Sequence, residues 1–134
     1  MGVILDTCVW VAIASDTLAR ENVIARAGDA PVFTSVISLG ELSFGVHACL
    51  DPAERARRAA VLRQIELRPT LDVTAQTAAA YGLLCASVKA AGRSPRPRMN
   101  DLWIAAQAIE NGHTLMTFNE RDFADLPGLS VVVP

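Results

Sequence analysis

The chain has 134 residues, 51% of them hydrophobic, with a mean hydropathy of +0.31 and a net charge of −2. That length fits one domain, residues 1–134, with a core of its own, and the apolar content excludes a disordered chain. The mild acidity excludes a protein that holds nucleic acid by bulk positive charge.

The run "GVIL" (2–5) is short and β-prone, and Asp6-Thr7 follows it. The apolar "CVWVAIA" (8–14) reads as a short helix after that acid. A helical period runs through 16–28 and stops at Gly28. "PVFTS" (31–35) reads as a second strand, and 36–50 as a helix despite Gly40 and Gly45. Asp51 as N-cap, with Pro52 at the first helical position, opens a helix over 51–65. Residues 66–73 form a connector with room for a short strand. A helix over 74–92 stops at Gly92, and the alternating proline and arginine of "RSPRPRM" (93–99) make a loop. A helix over 100–112, a strand over 113–118, a short helical turn over 119–126 and a strand over 129–133 complete the chain. Short strands alternating with helices predict an α/β domain. Its sheet is largely parallel, helices cover both faces, and the crossovers are right-handed.

Cys8, Cys49 and Cys85 are odd in number and lack C-x-x-C spacing, which predicts reduced, buried thiols and no zinc site. No basic or long apolar segment opens the chain, and no stretch is long enough to cross a bilayer. A cytoplasmic location with no membrane contact is therefore expected. His113 reads as structural. Trp10, Phe44 and Trp103 are expected in the core, and Arg55, Arg57, Arg58 and Arg63 on a solvated helix face.

Four acids sit in apolar company. Positions 101, 104, 105, 108 and 109 share one helix face, so Asp101 heads the stripe of Ile104, Ala105, Ala108 and Ile109. Asp101 could be an N-cap, but Asn100 before it could cap as well. Glu41 shares a face with Ile37, Phe44 and Ala48, where an unpaired carboxylate is costly and calls for a cation. Asp6 ends the first strand, where open α/β sheets bind ligands, or else caps the helix that follows. Asp122 follows the strand over 113–118; with Asn119 it resembles a capping box. All four can reach one edge of a parallel sheet. Clustered carboxylates repel each other, and hard divalent cations such as Mg2+ or Mn2+ relieve that repulsion. Two such ions about 4 Å apart can drive phosphodiester hydrolysis.

The blocks "VILDTCVWVAI", "SVISLGELSFGV", "NDLWIAAQAIENGHTLMTFNERDF" and "LPGLSVVV" resemble the PIN domain, and more closely the VapC ribonuclease toxins of type II toxin–antitoxin systems. The resemblance covers essentially the whole chain, and it rests on the order and spacing of the blocks. It implies a three-layer α/β/α sandwich around a central, mostly parallel sheet. It implies that Asp6, Glu41 and Asp101 are the main acids of a Mg2+ site, with Asp122 as a fourth and Thr7, Thr117 and Asn119 as supporting polar residues. The implied reaction is endonucleolytic hydrolysis of RNA, of the tRNA or rRNA class, leaving 5′-phosphate and 3′-hydroxyl ends. The implied partners are a small VapB-like antitoxin, seated in an apolar groove and sometimes placing an arginine among the acids, and a second copy in a homodimer. The chain departs from the family at Cys8, where Ser or Asn is common, so a contact beside the site is altered. The fourth acid also varies in the family.

Arg93, Arg96 and Arg98 stand just before Asp101 with no acid among them, and are expected either to contact RNA phosphates or to form a solvated loop. A phosphotransfer domain of receiver or phosphatase type is the rival catalytic reading. However, Asp6 has no acidic neighbour, the only lysine, Lys89, lies in a helix, and Asp6-Thr7-Cys8 is not D-x-D. A non-catalytic PIN-like binding module is the other alternative; the presence of all four acids disfavours it.

Overall fold

The first apolar run becomes the centre of the sheet. In the computed structural model, which describes residues 1–134, strands β1 (Val3–Leu5), β2 (Val32–Ser35), β3 (Thr70–Leu71), β4 (Thr114–Met116) and β5 (Ser130–Val132) lie in the order β3-β2-β1-β4-β5. All the pairings are parallel. The connections carry helices α1 (Thr7–Ala14), α2 (Arg20–Ala27), α3 (Val36–Ala48), α4 (Pro52–Glu66), α5 (Ala75–Ala90), α6 (Met99–Asn111) and α7 (Glu120–Phe123).

The inner strands are apolar without alternation because both their faces are covered. Ile4 and Leu115 pack against Leu84 and Val88 of α5, Leu102 and Ile104 of α6, and Phe123 of α7. Val3, Leu5 and Met116 pack the other way, against Val9 and Trp10 of α1, Val23 of α2 and Ile65 of α4. Two cores flank one sheet, which makes the three-layer sandwich. Helix α3 joins both: Ile37 packs on the first core, Leu39 and Leu42 on the second.

Local signals set most ends. The Asp51 carboxylate accepts from the Glu54 N–H at 2.9 Å, with Pro52 in the first turn of α4. Gly112 ends α6 at φ 66°, a left-handed conformation that a side chain disfavours. Other ends shift for physical reasons. Helix α2 starts at Arg20 rather than at 16, because Asp16 takes φ 58° and the Thr17 and Leu18 N–H groups both turn back to the Ala12 carbonyl. Residues 93–99 are not all loop: Arg96–Arg98 form a 3-10 turn, and Met99 already opens α6. Helix α3 ends at Ala48, short of 50. The connector over 66–73 does yield a strand, β3, at the sheet edge.

Two side-chain expectations need correction. Phe44 is 74% exposed, since the face of α3 it shares with Glu41 runs past the edge of the core. The cysteines are free, as expected, but each is only half-buried. Trp10 is buried, and Trp103 is half-buried and stacked on Tyr81 with ring centroids 3.7 Å apart. His113 is structural: its Nδ1 accepts from the Gly2 N–H at 2.9 Å and its ring stacks on Phe33. No helix is long and apolar enough to cross a membrane.

Candidate active site

Leu5 of β1 and Met116 of β4 are paired, so the next residues, Asp6 and Thr117, emerge side by side at the carboxyl edge of the sheet. There β1 leads away towards β2 on one side while β4 lies on the other, and such a divergence leaves a crevice. Asp6 lines it at 3% exposure. Its Oδ1 accepts from the Thr7 N–H at 2.8 Å, so it does cap α1. Its Oδ2 accepts from the Thr117 hydroxyl at 2.8 Å and the Cys8 thiol at 3.4 Å. Burial and then the Asp6 charge push the Cys8 thiol up, against a lowering backbone contact, so it stays a donor. Cys8 therefore supplies Asp6 with a weak S–H hydrogen bond.

Glu41 reaches the same edge from α3. Its Oε1 accepts from the Thr7 hydroxyl at 2.8 Å, and Ser38, one turn earlier on α3, is 2.8 Å from that hydroxyl. With Thr7 donating to Glu41, Ser38 donates to Thr7. Helix α3 is itself pinned at its start: Ser35 caps it through the Ile37 N–H at 3.0 Å and also bonds Gln107 of α6. Ser38 and Gln107 were missed by sequence reasoning. The i, i+3 spacing of Ser38 and Glu41 in "SLGE" was a usable signal; a glutamine amid the alanines of α6 was a weaker one.

Asp101 lies inside the first turn of α6, not at its cap, which is Arg98. It is half-buried. Burial, then the charges of Asp6 and Glu41, raise it to about 6, with Arg98 pulling down and Asp122 adding a smaller push. The charges of the three other acids thus all act on Asp101. Asp122 is the least engaged: it is exposed, and only its backbone N–H bonds, to the Asn119 carbonyl at 2.9 Å, so no capping box forms there. The Asn119 backbone N–H donates to the Thr117 hydroxyl at 3.0 Å.

The arginines before Asp101 part ways. Arg93 pairs with Asp125. Arg96 is exposed and, with Glu41, Pro97, Arg98, Asn100 and Asp101, lines a cavity of about 350 Å³. Arg98 lines it too, with its guanidinium buried. A second cavity, of about 310 Å³, runs between α1, α3 and α4 and shares Thr7 and Glu41 with the site. Val11, Leu42, Val61 and Leu62 make its apolar wall. Arg57 and Arg58 lie on the solvated face of α4, as expected, paired with Glu54 on the rim of this cavity.

The acids do not form a closed cage: no three His, Cys, Asp or Glu side chains stand close enough to enclose an ion. Their chemistry still fits a divalent cation. All the donors are hard oxygens, and burial followed by the charges of Asp6 and Glu41 raises Asp101 above the usual carboxylate range, a cost that a cation would offset. Mg2+ keeps several of its waters and binds through one or two carboxylates, which suits an open arrangement better than a cage.

A family model, PIN domain, matches residues 3–129. The chain is 36% identical over 129 residues to ribonuclease VapC5 of Mycobacterium tuberculosis, covering 96% of this chain and 90% of that one. Among solved structures, the VapBC-5 toxin–antitoxin member from Mycobacterium tuberculosis matches with a TM-score of 0.74 and 32% identity, covering 99% and 98% of the two chains. A DNA-bound VapBC from Salmonella typhimurium matches with a TM-score of 0.80 and 26% identity, covering 99% and 98%.

Proposed function

The chain belongs to the PIN-domain family, and from that premise we propose that it is a VapC-type endoribonuclease toxin, dependent on a divalent metal ion and neutralised by a VapB-like antitoxin. What supports the reading is that Asp6, at the carboxyl edge of β1, is joined through Thr7 to Glu41, and that Glu41 and Asp101 line one open polar cavity, with Asp122 acting on Asp101 by its charge. A ribonuclease activity and a VapB partner are what the names of its relatives VapC5 and VapBC-5 describe.

Asp6, Glu41 and Asp101 would hold the ion, Mg2+ or Mn2+, with Asp122 reaching it or its waters. When bound, the ion acidifies water and offsets phosphate charge. The chain's own residues prepare the rest. Thr117 and Cys8 orient Asp6, and Thr7 orients Glu41, through the bonds described above; such partners set the direction of a ligating oxygen. Arg96 on the cavity rim binds a neighbouring phosphate of the RNA backbone. Water attacks the phosphorus, the bond to O3′ breaks, and the water's protons end on O3′ and solvent. The products are a 5′-phosphate and a 3′-hydroxyl, with no covalent intermediate. The apolar groove between α1, α3 and α4 is the seat for the antitoxin, because it opens into the site through Thr7 and Glu41 and lets a bound segment close it. The chain acts as one domain over 1–134 and as a homodimer in the cytoplasm; sedimentation of the purified protein checks the dimer.

Cleavage of total cellular RNA by the purified protein tests the activity. With Mg2+, discrete cuts carrying 5′-phosphate ends are expected; with EDTA, or with Asp101→Asn, none. Cuts that persist in EDTA, or that survive Asp101→Asn, would remove the metal-site reading.

A further inference from the structure

All three nitrogens of the Arg98 guanidinium are buried and have no hydrogen-bond partner. Arginine cannot shed its charge, so a buried guanidinium without an acceptor is costly and rare. Arg98 is also outside every ion pair of the chain: those join Arg57 and Arg58 to Glu54, and Arg93 to Asp125. Yet it is the cation that acts on Asp101 against the three other acids, and it shares the cavity wall with Glu41 and Asp101.

Its placement is fixed by the backbone. The Arg98 N–H donates to the Pro95 carbonyl at 3.0 Å, closing the 3-10 turn that leads directly into α6. Asp101 follows one turn later. A planar fork of donors held ready beside an acid cluster, and bonded to none of the acids, lacks an acceptor of matching shape. A phosphodiester offers one: two non-bridging oxygens that a guanidinium engages in parallel. The carboxylates themselves cannot hold that anion.

We propose that Arg98 is a catalytic residue that binds the non-bridging oxygens of the reacting phosphate, on the side away from the carboxylates, and stabilises the charge that builds there during hydrolysis. The assignment rests on the ribonuclease reading and narrows it: Arg93 is committed to Asp125, Arg96 serves the flanking backbone, and Arg98 serves the bond that breaks. It forms no bond itself. The guanidinium already stands in the cavity wall, and only a local side-chain shift must uncover its nitrogens for the phosphate.

The test uses the RNA whose cut site the wild-type protein defines. Single-turnover rates are measured in Mg2+ at saturating protein, and RNA affinity in Ca2+ to suppress turnover. The Arg98 Nε–H resonance of 15N-arginine-labelled protein is followed on adding the same RNA in Ca2+. Arg98→Ala should slow the saturated rate by about 10²–10³-fold, the scale of losing one charge-stabilising donor. Affinity should fall far less. Arg98→Lys, which keeps the charge without the fork, should recover only part of the rate, and the resonance should shift. Arg26→Ala, at an exposed position of α2, should match wild type throughout.

Cleavage by Arg98→Ala at the wild-type saturated rate would overturn the assignment. So would faster cleavage with tighter Mn2+ binding, which would mark Arg98 as a counter-ion of the metal-free acids. If Arg98→Ala melts before the assay, Arg98→Lys and the resonance decide: a full rate with an unmoved resonance overturns the proposal. A wild-type protein that cuts no RNA overturns the ribonuclease reading itself, and this assignment with it.

Discussion

Asp101→Asn should make the metal-free protein more stable while abolishing cleavage. Burial and the neighbouring acids raise Asp101 from 3.8 to about 6. The folded protein therefore holds a proton that the unfolded chain has already lost. Stability is full below about pH 4 and falls as pH rises through about 6, because ionising Asp101 costs more in the fold than outside it. At about 1.4 kcal/mol per tenfold change in acidity, the full cost is about 3 kcal/mol. Asp101 is half-exposed, so solvent screening reduces this to about 1–2 kcal/mol. The position of its charge in the first turn of α6 returns a few tenths through the helix dipole. The neutral isostere removes the cost. In EDTA, wild type and Asp101→Asn should unfold in urea at the same midpoint at pH 4. At pH 8 the variant should be about 1–2 kcal/mol more stable, with an equal slope. Saturating Mg2+ should close the gap by stabilising wild type alone. A variant equally or less stable at pH 8 in EDTA, or a difference that does not change with pH, would refute the raising of Asp101 by burial and its acidic neighbours.

Mg2+ binding should release protons at pH 6 and almost none at pH 8, since the ion must displace the proton that Asp101 holds up to about 6. Titration calorimetry in buffers of different ionisation enthalpy measures that release, and affinity should weaken as pH falls. Thr117→Val removes the hydroxyl that donates to Asp6 and accepts from the Asn119 N–H. It should cost about 1–3 kcal/mol in urea unfolding and slow cleavage by about 10–100-fold. Leu62→Asp puts a charge in the apolar wall of the groove between α1, α3 and α4. It should weaken binding of a VapB-like antitoxin by about 2 kcal/mol or more in calorimetry; unchanged affinity would move the antitoxin elsewhere.

The sheet was legible because its strands are buried on both faces and read as unbroken apolar runs between helical periods. Asp6 was legible because it breaks such a run at its end, and Asp101 because it heads a clean stripe of Ile104, Ala105 and Ala108. The start of α2 was not, because the positive φ of Asp16 is a tertiary outcome with no glycine to announce it. Phe44 misled because its spacing matches Glu41, while packing alone decides where a helix leaves the core. The bond from Ser35 to Gln107, and the support of Glu41 by Thr7 and Ser38, join residues far apart in the chain. Spacing within one element cannot predict them. The same limit hid the difference among Arg93, Arg96 and Arg98, which look alike in "GRSPRPR" and are separated only by what surrounds each in the fold.

The most direct test of the central claim is an anomalous difference map from a crystal of the protein soaked in Mn2+. Peaks contacted by Asp6, Glu41 and Asp101, with Asp122 close by, are expected, and they should vanish in Asp101→Asn. An ordered site with no peak among these carboxylates, or Mn2+ bound only elsewhere on the chain, would contradict the account.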